Sequence, residues 1–205
     1  MTNYRIAVFA SGTGSNFQSL VDAARNGALN ASVELLVCDK PAAQVVQRAQ
    51  DAGVDCHLFT PKAYASREAY EAEIIEVLES KQIDLVVLAG YMRLLTSVMV
   101  ERYAGRLINI HPSLLPAFTG KDAIGQALEY GVKVTGVTVH FVDGGMDTGP
   151  IIAQHPVPVQ PGDTAEKISK AIHAAEQQLY PEVVSWFAQG LVQLNGRHVT
   201  INKPV

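Results

Sequence analysis

Arg5-Ile6-Ala7-Val8-Phe9-Ala10-Ser11-Gly12-Thr13-Gly14-Ser15-Asn16-Phe17 is the stretch on which the fold turns. Its apolar start suits a strand buried on both faces of a parallel sheet. The glycines end that strand, and a helical pattern over residues 17–25 begins behind them. The same unit recurs outward. Apolar runs at 33–38, 85–89 and 107–110 read as further buried strands, and helical patterns at 44–52 and 67–80 lie between them, with Ser66 as N-cap of the latter. Strands alternating with helices predict an α/β protein with a mostly parallel sheet. The short run 55–59 fits an edge strand that completes a nucleotide-binding half of Rossmann type.

After residue 130 the rhythm changes. Residues 134–142 alternate and 151–159 form a second long strand, so an antiparallel late strand is expected; Pro156 and Pro158 remove ladder donors and put the second strand at an edge or leaving the sheet. Asp163 followed by Glu166 reads as a capping box for a long helix with Ile168, Ile172, Ala175 and Leu179 on its apolar face. Pro181 should kink or restart that helix, Gly190 should close it, and residues 191–201 should form a hairpin turning at Asn195-Gly196. Neither a repeat nor a linker interrupts the chain, so a single domain over 1–205 is expected.

Composition narrows the function classes. The 205 residues are 48% hydrophobic and 18% charged, and 16 basic against 20 acidic side chains give a net charge of −4. With 16 Gly and 10 Pro the chain is neither collagen-like nor disordered. No run approaches the ~18 apolar residues of a membrane span, and residues 1–4 lack the features of a signal peptide. A cytoplasmic protein without a membrane partner is the expectation. Mild acidity argues against a nucleic-acid partner but leaves room for a small phosphorylated ligand. Cys38 and Cys56 have no CxxC or CxxH neighbours and read as small buried apolar side chains; no HExxH-like spacing suggests a metal.

Four segments can carry chemistry. The loop Ser11-Gly12-Thr13-Gly14-Ser15-Asn16 lets backbone approach a ligand and presents free N–H groups to an anion. With Phe17 at the third glycine position it is not a dinucleotide fingerprint, and with no Gly-Lys-Ser/Thr it is not a P-loop, so a mononucleotide-sized phosphate fits it. A plain turn capped by Ser15 or Asn16 is the alternative. The apolar loop Gly90-Tyr91-Met92-Arg93-Leu94-Leu95 reads either as a slot for a flat heterocycle or as an inward-packing helix start. Asn109 and His111, two apart at a strand end, share one face, where an amide donor and an imidazole can stabilise an oxyanion and move a proton. The turn Asp143-Gly144-Gly145-Met146-Asp147 can return a carboxylate over the same site. His140 reads as structural, and His57, His155 and His198 as surface or edge residues.

Together these segments resemble the phosphoribosylglycinamide formyltransferases, folate-dependent enzymes of purine (IMP) synthesis, over residues 6 to about 192. The string Asn109-Ile110-His111-Pro112-Ser113-Leu114-Leu115-Pro116 with downstream Asp147 carries the resemblance and is shared with formyltetrahydrofolate deformylases and methionyl-tRNA formyltransferases. The resemblance implies a single-domain Rossmann-like formyltransferase fold, with 10-formyltetrahydrofolate as cosubstrate and glycinamide ribonucleotide as acceptor. It implies Asn109, His111 and Asp147 as catalytic residues: an oxyanion donor, an imidazolium that delivers a proton, and a carboxylate that keeps the imidazolium charged and relays the amine's proton. Gly14, Ser15, Asn16, His173 and Glu176 would meet the ribonucleotide. Arg67, Met92, Arg93, Leu94, Leu95, Asn109 and the backbone of Phe141, Val142, Asp143, Gly144, Gly145, Met146 and Asp147 would meet the folate. Monomer and homodimer both fit.

From the length, the free-standing form is expected, without the added domains that the resemblance implies for deformylases or tRNA-directed enzymes. A deformylase using water as acceptor and a non-enzymatic mononucleotide-binding module are the rivals. Thr119 stands where a proline is expected, which leaves the course of residues 117–120 open, and no function is carried onto Lys121-Asp122-Ala123-Ile124-Gly125.

Overall fold

The computed structural model describes residues 4–203; the reading of residues 1–3 as free of a targeting signal lies outside the described residues. Strands β1 (Tyr4–Phe9), β2 (Ala31–Cys38), β3 (Asp55–Leu58), β4 (Leu85–Leu88), β5 (Leu107–His111), β6 (Val134–Phe141) and β7 (Ile151–Pro158) form one sheet in the order β3-β2-β1-β4-β5-β6-β7. Within it only β6 runs against the others, pairing antiparallel with β5 and β7. Helices α1 (Ser15–Arg25), α2 (Gln44–Ala52), α5 (Ala123–Tyr130) and α6 (Ala165–Ala188) cover one face; α3 (Arg67–Ser80) and α4 (Ser97–Arg102) cover the other.

The strand pattern explains both layers. Along β1, Ile6 and Val8 pack with Phe17 of α1 and Ile172 of α6, while Ala7 and Phe9 pack with Ile74 of α3 and Met99 of α4. Because both faces are covered, the run shows no polar alternation. Ser66 caps α3 as expected, accepting from Ala69 N at 3.1 Å. β7 is the edge strand, where Pro156 and Pro158 remove donors at least cost.

Four local expectations are corrected. Thr164, not Asp163, caps α6, its hydroxyl accepting from Lys167 N at 3.2 Å, while Asp163 turns back to accept from Gln160 N. The helix runs through Pro181 without restarting, since the carbonyl that loses its helical donor belongs to Gln177, an exposed residue that water can satisfy. The terminal hairpin, β8 (Val192–Asn195) and β9 (His198–Ile201), turns one residue later, at Gly196-Arg197. Cys38 is buried, but Cys56 in edge strand β3 is only half-buried.

Candidate active site

The chain leaves β1 toward one face of the sheet and β4 toward the other, so a crevice opens at their carboxyl ends, where ligands bind in open α/β sheets. A cavity of about 850 Å³ lies there, lined by the 12–16 loop, residues 89–94, Asn109, His111, residues 120–124, Met146, Asp147, His173 and Glu176. A second, of about 320 Å³, is lined by Arg67, Arg93, Leu94, Leu95, Asn109, His140 and residues 142–147. Tyr91, Arg93, Leu94, Asn109, Met146 and Asp147 belong to both walls.

The glycine loop is shaped by a close approach. Gly14 has φ +76 and is the N-cap of α1; a Cβ there would sit 2.5 Å from Val45 Cγ2 and 3.0 Å from Val45 Cα. Val45 N donates to Gly12 O at 3.1 Å and Arg48 Nε to Thr13 O at 2.8 Å, so α2 holds the loop's carbonyls. Neither Ser15 nor Asn16 caps the helix, and among the described residues no side chain takes up the first N–H groups of α1, which stay available to an anion. Asn16 points inward instead, its Nδ2 donating to Glu176 Oε2 at 3.2 Å. Burial pushes the Glu176 carboxyl above its ordinary value.

Residues 90–95 form a loop rather than a helix start, with Met92 70% and Leu94 55% exposed at the cavity wall. Met92 N donates to Ser11 Oγ at 3.0 Å, Arg93 Nε to Asp39 Oδ2 at 2.7 Å, and Arg67 Nη1 to Leu94 O at 3.4 Å. Backbone and charge thus hold in place two apolar side chains that would otherwise pack inward.

At the seam between the cavities, Asn109 of β5 lies opposite His140 of β6. His140 Nδ1 is 2.7 Å from Phe141 O, an acceptor, so it carries the proton and leaves Nε2 to accept from Asn109 Nδ2 at 3.2 Å. Burial lowers the pKa of His140 and favours this neutral ring. His140 therefore belongs to the site and not, as the sequence suggested, to the fold alone. Its signal was its pairing with Asn109, which depends on the register between β5 and β6.

His111 Nε2 lies 2.8 Å from Phe118 O and its Nδ1 3.4 Å from Asp147 Oδ2. Each ring nitrogen thus faces an oxygen, one from the 117–120 loop and one from the Asp147 carboxylate. Asp147, at φ +56, also accepts from Gly120 N at 2.8 Å. The 117–120 loop, whose course the sequence left open, is thus the scaffold of both His111 and Asp147. Residues 142–147 line the smaller cavity, but the Phe141 ring lies in the core against Phe187, and only its carbonyl reaches the site, through His140. Lys121, Asp122, Ala123 and Ile124, onto which no function was carried from the resemblance, line the larger cavity. Among the described residues no cluster of three or more His, Cys, Asp or Glu side chains could hold a metal, and no helix is long and apolar enough to cross a membrane.

The chain is 49% identical over 193 residues to a phosphoribosylglycinamide formyltransferase of Bacillus subtilis, covering 94% of this chain and 97% of that one. It is 42% identical over 190 residues to the Escherichia coli protein of the same name, covering 93% and 90%. The crystal structure of glycinamide ribonucleotide transformylase 1 from Symbiobacterium toebii superposes with a TM-score of 0.95 at 47% identity, covering 98% of this chain and 95% of that one. The formyl transferase family model matches residues 4–184, and the chain belongs to that family.

Proposed function

We infer that the protein transfers the formyl group of 10-formyltetrahydrofolate to the amine of glycinamide ribonucleotide, a step of purine biosynthesis. The observation that carries this reading is the pair of cavities joined at Asn109 and Asp147. One has a phosphate-sized glycine loop and the other is a smaller slot of mixed character, walled by Leu94, Leu95 and Val142 beside Arg67, Arg93 and Asp143, so two substrates can meet at the seam. The phosphate docks on the first turn of α1, with Glu176 and His173 beside the rest of the ribonucleotide. The folate lies along residues 92–95 and 142–147, with Arg67 at its outer edge.

In this reading the amine nitrogen attacks the formyl carbon and the carbonyl electrons move onto oxygen. Asn109 donates its second amide hydrogen to that oxyanion, and the His111 imidazolium adds positive charge beside it. Asp147 takes the proton released by the amine, directly or through water. Collapse of the intermediate restores the carbonyl and breaks the bond to the folate nitrogen, which receives a proton from His111. Holding both reactants at one seam makes a bimolecular step effectively unimolecular. The folate is a cosubstrate, no metal takes part, and the protein acts in the cytoplasm as a monomer or homodimer. Isotope-labelled formylfolate tests the transfer: label recovered as an amide on the ribonucleotide supports it, and label recovered as free formate overturns it.

A further inference from the structure

One buried carboxylate outside the reacting groups ties the two substrate loops together. Asp39, just beyond β2, is 4% exposed. Its Oδ1 accepts from Ser11 Oγ at 2.5 Å and its Oδ2 from Arg93 Nε at 2.7 Å. The Ser11 hydroxyl in turn accepts from Met92 N at 3.0 Å, and Ser11 N donates to Gly90 O at 3.1 Å. The carboxyl ends of β1, β2 and β4 are thus pinned by a single side chain. Only the carboxylate is buried, the Arg93 side chain remaining 35% exposed, so desolvation of Asp39 and solvent screening of Arg93 leave the pair little to add to stability. What such a pair supplies is direction, since charge-assisted bonds fix a planar guanidinium in both position and orientation.

We propose that Asp39 is a positioning residue for formyl transfer, aiming Arg93 at the wall shared by both cavities and keeping the folate-side loop in register with the phosphate-side loop. This rests on the assignment of residues 92–95 to the folate. Without the carboxylate, the Arg93 side chain is free to swing into solvent, Ser11 loses its acceptor, and the Met92 amide loses a fixed partner. The folate side should suffer and the phosphate side should not, because Gly12 and Thr13 are held separately by Val45 and Arg48.

The test is a double-mutant cycle of Asp39→Ala and Arg93→Ala, read as folic acid affinity by calorimetry and as KM for formylfolate. Each single change should weaken folic acid roughly tenfold, the scale of one charge-assisted bond, and the double variant should be no worse than Arg93→Ala alone. Ribonucleotide affinity should stay within about twofold, because its loop keeps its own supports. Asp39→Asn, which keeps the shape and one acceptor oxygen, should fall between parent and Asp39→Ala and serves if the alanine variant does not fold. Fully additive losses, or unchanged folic acid affinity in the Asp39 variants, would overturn the positioning role. Unchanged affinity in Arg93→Ala would instead overturn the folate assignment itself.

Discussion

Asn109 Nδ2 lies 3.2 Å from His140 Nε2 across the antiparallel pair of β5 and β6, so a neutral histidine orients the amide credited with holding the oxyanion. Protonating His140 would set an N–H against an N–H and release Asn109. His140→Ala should therefore lower turnover about tenfold, the worth of one orienting hydrogen bond, and Asn109→Ala by ~10² or more. The pH dependence has a definite sign. Burial lowers His140 below its ordinary 6.5, so its contribution to stability is present above 6.5 and is lost as pH falls through the lowered value. Thermal unfolding from pH 8 to pH 5 should show the parent losing more stability than His140→Ala; parallel curves would contradict the tautomer described here.

Asp147→Asn separates catalysis from scaffolding. At φ +56 an L-residue is strained, but asparagine tolerates this region well, and its oxygen can still accept from Gly120 N. The variant should melt close to the parent yet turn over ~10² more slowly, because an amide cannot take the amine's proton. Near-parental turnover at saturating substrates would remove Asp147 from the chemistry. Asp147→Ala should additionally lower the melting temperature.

Gly14→Ala should act through the fold as well as the ligand. The added methyl meets the Val45 backbone and side chain rather than open space, at a left-handed φ. A melting temperature lower by about 5 °C is expected from strain of roughly 2 kcal/mol, with ribonucleotide affinity falling much more than folate affinity. Equal loss of the two affinities would detach this loop from the phosphate.

Glu176→Gln reports on the buried Asn16 pair. Burial raises the Glu176 carboxyl above its ordinary 4.5, so the protonated acid favours the fold below 4.5 and that contribution is lost as pH rises through the raised value. Glutamine cannot ionise and still accepts from Asn16. The variant should match the parent's melting temperature near pH 4 and exceed it increasingly above, while binding ribonucleotide more weakly. A parent more stable than the variant at pH 8 would contradict this.

Residues 5–17 made the α/β order legible because a strand covered on both faces must be apolar throughout, and the glycines ending it mark a turn whatever surrounds them. Asn109 and His111 were legible as a pair because two residues two apart on a strand share a face. His140 was not, since its role depends on standing opposite Asn109, and register between distant strands is set by packing rather than by local pattern. Asp39 was invisible for a similar reason: an acidic residue after a strand looks solvent-facing until Ser11 and Arg93 close around it. The helix start at residue 164 and its continuity through Pro181 depend on which of two adjacent polar residues turns inward and on which carbonyls water can reach.

The most direct test of two substrates meeting at the Asn109 and Asp147 seam is the absorbance change of formylfolate consumption, recorded with and without glycinamide ribonucleotide. Consumption should depend on the ribonucleotide and stop when one formyl group has been transferred for each ribonucleotide supplied. Consumption at the same rate without it would mean that water is the acceptor, and would contradict transfer between two bound substrates.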